Sequence, residues 1–167
     1  MKSVLYSRVG WTIVGLCLDA MYIALFLIIF ILSAPFRRQR QDVIHALTRN
    51  FWGKAVPNRD GRPVVWVHAV SLGEALLSGH LIKQLKTRRP DLQFLLSVST
   101  RDGMDAISRE YPEQSVFYAP FDFTWAVRRT FGSLQPVALL IAENDFWPNM
   151  LAEATRRKIP LAIFNTR

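Results

Sequence analysis

The chain has 167 residues, half of them hydrophobic, and its 21 Lys+Arg and 13 Asp+Glu give a net charge of +8. This composition excludes a disordered or low-complexity protein. A single cysteine, Cys17, excludes a disulfide framework, and three scattered histidines leave too few ligands for a Cys/His zinc site. We therefore expect no metal and no other cofactor.

The first predicted element is an apolar helix near the amino terminus. Residues 10–34 contain one charged side chain, Asp19, and a helix of 25 residues spans about 37 Å, against about 30 Å for the core of a bilayer. Pro35 ends the apolar stretch. The pattern predicts a transmembrane anchor in residues 1–36 that crosses the membrane once.

Two alternatives to a membrane-spanning anchor stay open. A cleaved signal peptide has an apolar region of about 7–15 residues, shorter than this one, and its small-residue site at Ser33-Ala34 is followed by proline. A helix that lies on the membrane surface would explain Asp19, because a charge near the bilayer centre costs a few kcal/mol.

A basic linker, residues 37–59, follows the anchor. Because basic residues that flank a span are retained in the cytoplasm, the rest of the chain is expected on the cytoplasmic side. The linker either contacts anionic lipid headgroups or only sets this topology. Neither aromatic interleaving nor a known motif accompanies the charges, so a nucleic-acid partner is not expected.

A turn cluster at residues 57–63 marks the start of a folded domain, residues 60–167. The predicted strands cover residues 64–67, 93–98, 115–118, 137–142 and 161–164. The predicted helices cover residues 74–89, 102–110, 124–131 and 148–157. Strands that are apolar on both faces and alternate with helices indicate a doubly wound, Rossmann-like α/β domain with a parallel sheet.

Two features of the predicted helices are specific. In the first helix of the domain, apolar residues recur at helical spacing and predict one buried face, made of Leu77, Leu81, Ile82 and Leu85. The third helix of the domain is expected to stop at Gly132.

Ligands of such sheets bind beyond the carboxyl ends of the strands. After the first strand, Ser71 and Glu74 have the spacing of a capping box, in which the serine caps a helix and the glutamate reaches back to its amide. Glu74 is equally suited to act as a general base that takes a proton from a substrate hydroxyl. The spacing allows both roles, and they are not exclusive.

The segments after the second and fourth strands are also polar. Ser99, Thr100 and Gly103 form a turn suited to an anion, although an ordinary N-cap by Thr100 explains the spacing as well. After the fourth strand, Asp145 is the better candidate to cap the last helix. Glu143 then needs another role, either at a substrate or in a pair with an arginine.

Together these segments resemble the Kdo transferases, which add 3-deoxy-D-manno-octulosonic acid (Kdo) to the lipid A precursor of lipopolysaccharide. The resemblance covers about residues 60–167. The matching motifs are Val67-His-Ala-Val-Ser-Leu-Gly-Glu74, Ser99-Thr100 with Gly103, Tyr118-Ala-Pro-Phe-Asp122, Ile141-Ala-Glu-Asn-Asp-Phe-Trp-Pro-Asn149, Arg157-Lys-Ile-Pro160 and Asn165-Thr-Arg167. The order of the Ser-x-Gly-Glu and Glu-x-acid-x-Trp-Pro-Asn motifs is a strong joint signal.

The resemblance implies a two-domain glycosyltransferase of the B type (GT-B), either monotopic or with a single span, at the inner membrane. Its amino-terminal domain would bind the acceptor, the lipid A precursor lipid IVA, and its carboxyl-terminal domain would bind the donor, CMP-Kdo. By resemblance, Glu74 is the general base, and Glu143 stabilises the transition state of an inverting transfer that needs no metal. The same motifs imply substrate contacts from Ser71, Gly73, Ser99, Thr100, Gly103 and Asn149.

The chain also departs from the family pattern. Leu72 stands where the family has valine, and Asn144 and Asp145 replace a Thr-Glu pair. The chain ends at Arg167, near the point where the second domain of the family begins. We therefore expect the CMP-Kdo-binding domain to be absent and the chain to be inactive without it. The alternative is a non-catalytic, membrane-anchored lipid-binding module or a pseudoenzyme remnant of the family.

Overall fold

The structure, a computed structural model, describes residues 2–32, 50–52, 61–143 and 147–165. Most of the predicted basic linker, and Asp145, lie outside the described residues. The helices are α1 (Lys2–Leu32), α2 (Leu72–Arg88), α3 (Arg101–Glu110), α4 (Thr124–Leu134) and α5 (Pro148–Arg156). The strands are β1 (Val64–Ala69), β2 (Gln93–Val98), β3 (Val116–Tyr118), β4 (Ala138–Ala142) and β5 (Leu161–Phe164).

The strands form one parallel five-stranded sheet in the order β3-β2-β1-β4-β5. β1 lies at the centre, where Val67 pairs with Leu96 of β2 and with Leu140 of β4. Two parallel neighbours need a crossover connection, usually a helix, and this is why strands and helices alternate along the chain. The predicted α/β fold with a parallel sheet is confirmed.

Helices cover both faces of the sheet, and successive side chains of β1 point to opposite faces. Trp66 belongs to the buried cluster formed with Phe131 of α4 and Met150 of α5. Val67 belongs to the second cluster, with Ile107 of α3. All five side chains are fully buried, and each contributes about 1.5–3 kcal/mol by leaving water.

The buried face of α2 differs from the predicted one. Of the four predicted residues only Ile82 is fully buried, and Leu77 is exposed. The packed face is built instead from the small residues Ala75, Ser78 and Gly79. Small side chains let α2 approach its neighbours closely. The predicted face is therefore correct at Ile82 and at Leu85, which is partly buried against the core, but the buried face is shifted around the helix away from Leu77.

Gly79 marks a close approach of α2 to the end of α3. A Cβ at this position would lie 2.6 Å from a ring carbon of Tyr111 and 3.1 Å from Cδ1 of Ile107. Gly79→Ala should therefore lower the free energy of unfolding by about 1–3 kcal/mol, although alanine favours a helix by about 1 kcal/mol. Gly132→Ala is the matched control, because nothing lies within 4 Å of a Cβ there, and it should raise stability slightly. Equal shifts of the two variants in thermal unfolding would contradict the close contact.

α4 continues past the glycine at which it was predicted to end. Gly132 lies within the helix and is exposed to solvent. The helix ends at Leu134, after which Gln135 adopts a left-handed conformation with φ of 46°. A glycine costs a helix only about 1 kcal/mol. The burial of Phe131 and Leu134 in the core outweighs this cost.

β5 lies at one edge of the described sheet. Leu161 and Ile163 remain 38% and 36% exposed, whereas β1 is buried along its whole length. The predicted strand is present, but the expectation that it is buried on both faces is wrong for the residues that the structure describes.

α1 is an apolar helix that packs against the domain along one side and is exposed along the other. Its stretch Ile13–Leu32 has a mean hydropathy of 2.5, and it is long and apolar enough to cross a membrane. Only 11% of that stretch is buried, through contacts with α4 and α5.

Candidate active site at the carboxyl edge of the sheet

The strand order places the topological switch point of the sheet, where a ligand crevice is expected, between the carboxyl ends of β1 and β4. β2 and β3 lie on one side of β1, and β4 and β5 lie on the other, so the connections diverge at this point. Open α/β sheets bind their ligands at such a switch point. Glu74 follows β1 and Glu143 follows β4, so the two predicted catalytic carboxylates come from the two loops that border the crevice.

Glu74 lies in the first turn of α2 and is only 8% exposed. Its Oε2 accepts the N–H of Val70 at 2.8 Å, and its Oε1 accepts the hydroxyl of Ser71 at 2.6 Å. The N–H of Glu74 donates in turn to Ser71 Oγ at 3.3 Å. The predicted N-cap by Ser71 is therefore confirmed, but Glu74 reaches back to the amide of Val70 and not to that of Ser71, so this capping box is a variant of the predicted one. These hydrogen bonds fix the orientation of the carboxylate at the edge of the sheet.

A buried histidine that the sequence analysis did not single out lies at the end of β1. His68 is 1% exposed, and its Nδ1 lies 2.9 Å from Ser97 Oγ, which also accepts Trp66 Nε1–H at 2.8 Å. Burial lowers the pKa of His68 to about 4, against the opposing effect of the Glu74 charge, so the ring is neutral at pH 7. Its ring meets that of Trp147 edge-on at 5.8 Å.

Glu143 adopts an unusual backbone conformation directly after β4. Its φ is 59°, and its N–H donates to the carbonyl of Phe164 at 2.8 Å. Its Oε1 accepts Asn165 Nδ2–H at 2.9 Å, and Asn165 also has a positive φ, 60°. Left-handed residues of this kind cost about 1–3 kcal/mol and cluster at functional sites. The tolerance of asparagine for positive φ is the signal that could have marked Asn165.

The loop after β2 combines a helix cap with a packing glycine. Thr100 Oγ1 accepts the N–H of Gly103 at 3.1 Å, so the predicted N-cap is confirmed. Gly103 is buried, and a Cβ there would lie 3.0 Å from Thr100 Oγ1 and 3.5 Å from Ala75 Cβ. Close packing of α3 on α2 accounts for this glycine. Ser99 is half-buried, and the anion-binding role of the turn stays a prediction.

The cap of α5 comes from a residue remote in sequence. Trp147 occupies the N-cap position without a side-chain hydrogen bond, whereas Asp122 Oδ2 and Oδ1 accept the N–H groups of Asn149 and Met150, both at 2.9 Å. Asn149 Nδ2 donates to the carbonyl of Asp122. Burial raises the pKa of Asp122 to about 6, against the opposing effect of these backbone hydrogen bonds.

The predicted site residues thus divide into two groups. Ser71 and Gly73 are exposed beside Glu74 on the first loop, and nothing lies within 4 Å of a Cβ built on Gly73. Gly103 and Asn149 are buried among other residues of the chain. Within the described ranges, no group of three or more His, Cys, Asp or Glu side chains is placed to hold a metal ion.

Comparison with known proteins identifies the class of this domain. A family model described as 3-Deoxy-D-manno-octulosonic-acid transferase (kdotransferase) matches residues 42–167. A 3-deoxy-D-manno-octulosonic acid transferase of Haemophilus influenzae is 30% identical over 140 residues, which cover 82% of this chain and 31% of that protein. The corresponding protein of Bordetella pertussis is 36% identical over 111 residues, 62% of this chain and 25% of that protein.

A plant protein is similar as well. The probable mitochondrial 3-deoxy-D-manno-octulosonic acid transferase of Arabidopsis thaliana is 32% identical over 120 residues, 66% of this chain and 27% of that protein. The proteins that resemble this chain are therefore glycosyltransferases by name. The chain belongs to the Kdo transferase family, and it spans about a quarter to a third of the length of the curated relatives it matches.

Proposed function

We propose that this chain is the acceptor-binding amino-terminal half of a GT-B Kdo transferase. The complete enzyme transfers Kdo from CMP-Kdo to lipid IVA in the synthesis of the lipopolysaccharide core. The observation that carries the proposal is the family match over residues 42–167, together with Glu74 held at the switch point by two hydrogen bonds. In the proposed organisation, residues 1–36 attach the chain to the membrane, residues 37–59 are a basic linker, and residues 60–167 bind the acceptor.

The proposed location is the cytoplasmic side of the inner membrane. The apolar stretch of α1 supports membrane attachment. The six basic side chains in residues 37–59 favour retention of the linker in the cytoplasm and attract anionic lipid headgroups. A phosphorylated lipid acceptor in the same membrane would then reach the domain directly.

The proposed chemistry is an inverting displacement in which Glu74 acts as the general base. As the acceptor hydroxyl oxygen bonds to the anomeric carbon of Kdo, its proton passes to Glu74 and the bond from that carbon to the CMP phosphate breaks. The capping box supports this role, because it fixes the carboxylate before the substrate binds. Glu143, held by Asn165, stabilises the transition state from the other side of the crevice.

The experiment that tests the proposal is transfer of labelled Kdo from CMP-Kdo to lipid IVA in detergent. The chain is assayed alone and mixed with the carboxyl-terminal half of the Haemophilus influenzae relative, and that half alone is the control. We expect product in the mixture and none in the other two reactions. Absence of product in the mixture, with a folded chain and correctly folded second half, would contradict the proposed transfer.

The geometry of Glu74 also supports a second candidate function, a non-catalytic lipid-binding module. Both carboxylate oxygens of Glu74 take part in the capping box, which is sufficient to explain the residue by helix stability alone. Retained binding of lipid IVA without transfer by the mixture would favour this candidate.

Gly73 offers a test of the acceptor contacts. It is exposed, and a Cβ at this position would meet no other atom of the chain within 4 Å. Gly73→Ala should therefore leave the unfolding temperature unchanged or slightly higher, because alanine is the better helix former. If the acceptor sugar lies against this glycine, transfer falls by about tenfold or more, since small displacements of a substrate are costly. Unchanged transfer would remove Gly73 from the proposed site, and Gly132→Ala is the control.

A further inference from the structure

The face of α1 that contacts the domain is polar at its centre. Asp19 is 5% exposed, and its Oδ1 accepts the backbone N–H of Thr124 at 2.9 Å. The N-cap residue of α4 is Phe123, which supplies no side-chain hydrogen bond. A carboxylate at a helix N-terminus satisfies an unpaired N–H and is stabilised by the helix dipole. Asp19 therefore caps α4 from another helix.

Residues one to two turns away from Asp19 extend this contact along α1. A Cβ on Gly15 would meet Thr124 Oγ1 at 3.1 Å and Asn149 Oδ1 at 3.2 Å, so the helix backbone lies close to the first turns of α4 and α5. Towards the other end, the ring of Tyr22 packs edge-on against that of Phe123, with 5.8 Å between centroids.

The contact continues for one more turn. The ring of Phe26 lies 4.9 Å from that of Phe121 and 5.9 Å from that of Phe123, measured between centroids. The docked face of α1 therefore runs from residue 15 to residue 26, a length of about 16 Å along the helix axis.

The docked residues occupy a narrow part of the helix circumference. At about 100° per residue, Gly15, Asp19, Tyr22 and Phe26 fall within about 60° of one another. Exposed apolar side chains cover about 240° of the remaining circumference. They are Ile13, Val14, Leu16, Met21, Ile23, Leu25, Leu27, Ile28, Ile29, Ile31 and Leu32.

The charge of the apolar stretch lies on the docked face. Asp19 is the one charged residue of the sequence between Ile13 and Leu32, and it is buried against α4. The exposed arc therefore carries no charged side chain. Apolar residues around two thirds of a helix are more than one protein partner covers, and they are typical of a helix immersed in lipid.

The length of α1 restricts how a docked helix meets the membrane. Before the docked face, residues 2–14 span about 20 Å, and after it, residues 27–32 span about 9 Å. Neither part reaches across a hydrocarbon core of about 30 Å. A helix that stays docked between residues 15 and 26 therefore crosses the bilayer only if the domain itself enters the core.

We infer that α1 lies in the plane of the membrane, docked on the domain through Asp19, with a lipid bilayer covering its exposed arc and both of its ends on the same side. This is the membrane-surface arrangement that the sequence left open, in place of a single span. α4 and α5 begin at the carboxyl edge of the sheet, so the docked helix brings the membrane to the edge at which Glu74 lies. The inference does not depend on Kdo transfer.

The first experiment locates the ends of the full chain in the inner membrane of a Gram-negative host. The chain carries one tag before Met1 and another after Arg167, and protease is added to intact spheroplasts or to inverted vesicles. We expect both tags to be protected in spheroplasts and cut in inverted vesicles. An amino-terminal tag that is cut in spheroplasts would overturn the in-plane arrangement.

The second experiment uses Cys17, the single cysteine of the chain, which lies near the middle of the exposed arc. A fluorophore on this thiol should be quenched by brominated lipids in vesicles of anionic and neutral phospholipid. A fluorophore that is quenched by water-soluble iodide and not by brominated lipid would exclude the bilayer as the partner.

A pair of variants tests the role of Asp19. Asp19→Leu removes the cap of α4 and leaves an uncharged apolar stretch, so the helix should cross the bilayer and expose the amino-terminal tag in most spheroplasts. Met21→Leu, a change on the exposed arc, should keep both tags inside. If Asp19→Leu behaves as Met21→Leu does, Asp19 does not hold the helix in place and this part of the inference is wrong.

Discussion

Glu74→Gln should lower Kdo transfer by about 10²–10⁴-fold, the contribution of a positioned general base, while binding of the lipid acceptor is retained. Glutamine has the shape of glutamate and still accepts one hydrogen bond from the loop, but it takes no proton at neutral pH. The measurement is the transfer assay with both halves present, accompanied by a binding assay with lipid IVA. Full transfer in this variant would mean that Glu74 only caps α2.

Ser71→Ala is the matched control for Glu74→Gln. It removes the hydroxyl that caps the N–H of Glu74 and donates to Oε1, but it leaves the carboxylate and its hydrogen bond from Val70. We expect a loss of about 1 kcal/mol of stability, typical of a lost N-cap, and a much smaller loss of transfer than in Glu74→Gln. Similar losses of transfer in the two variants, accompanied by similar losses of stability, would assign the effect to the cap and not to the base. A loss of transfer in Ser71→Ala that is accompanied by weaker binding of lipid IVA would instead assign it to the substrate contact implied for Ser71.

Local patterns in the sequence predicted the sheet and the caps that act within one turn. Alternating strands and helices predicted a parallel sheet, and the spacing from Ser71 to Glu74 predicted the capping box. The caps of α4 and α5 were not predicted, because Asp19 and Asp122 are remote in sequence from the helices they cap. Such contacts depend on the tertiary packing and leave no local signal.

The same distinction holds at the candidate site. The position of Glu74 and Glu143 after strands was predictable, since parallel strands end at one edge of a sheet. The environment of Asn149 was not, because its contacts with Asp122 form only when the loop after β3 meets α5. The burial of His68 was predictable from the sequence, because side chains alternate between the two faces of a strand and His68 lies on the same face of β1 as the buried Trp66.

The two buried groups with large pKa shifts should act on stability in opposite directions. His68 has a folded-state pKa of about 4, below its usual 6.5, so the stability it contributes is lost as the pH falls from 6.5 to 4. Asp122 has a folded-state pKa of about 6, above its usual 3.8, so its protonation adds stability over nearly the same fall in pH. Each shift corresponds to about 3 kcal/mol, and the two contributions nearly cancel.

Single substitutions should separate the two opposing effects of pH on the free energy of unfolding. As the pH falls from 7 to 4, His68→Gln should gain about 3 kcal/mol of unfolding free energy relative to the unmodified chain, because it lacks the loss caused by His68. Over the same fall Asp122→Asn should lose about the same amount, because it lacks the gain caused by Asp122. Asp122→Asn is also less stable at pH 7, because it leaves one N–H of the α5 cap without an acceptor. The comparison is therefore of the change in stability with pH, and not of the stability at one pH. Thermal unfolding in detergent, followed by circular dichroism from pH 4 to pH 7, measures both. Curves parallel to that of the unmodified chain would mean that neither group titrates differently on folding. If the unfolding free energy relative to the unmodified chain changes with pH in opposite directions in the two variants, then His68 and Asp122 have opposite effects on stability between pH 4 and pH 7.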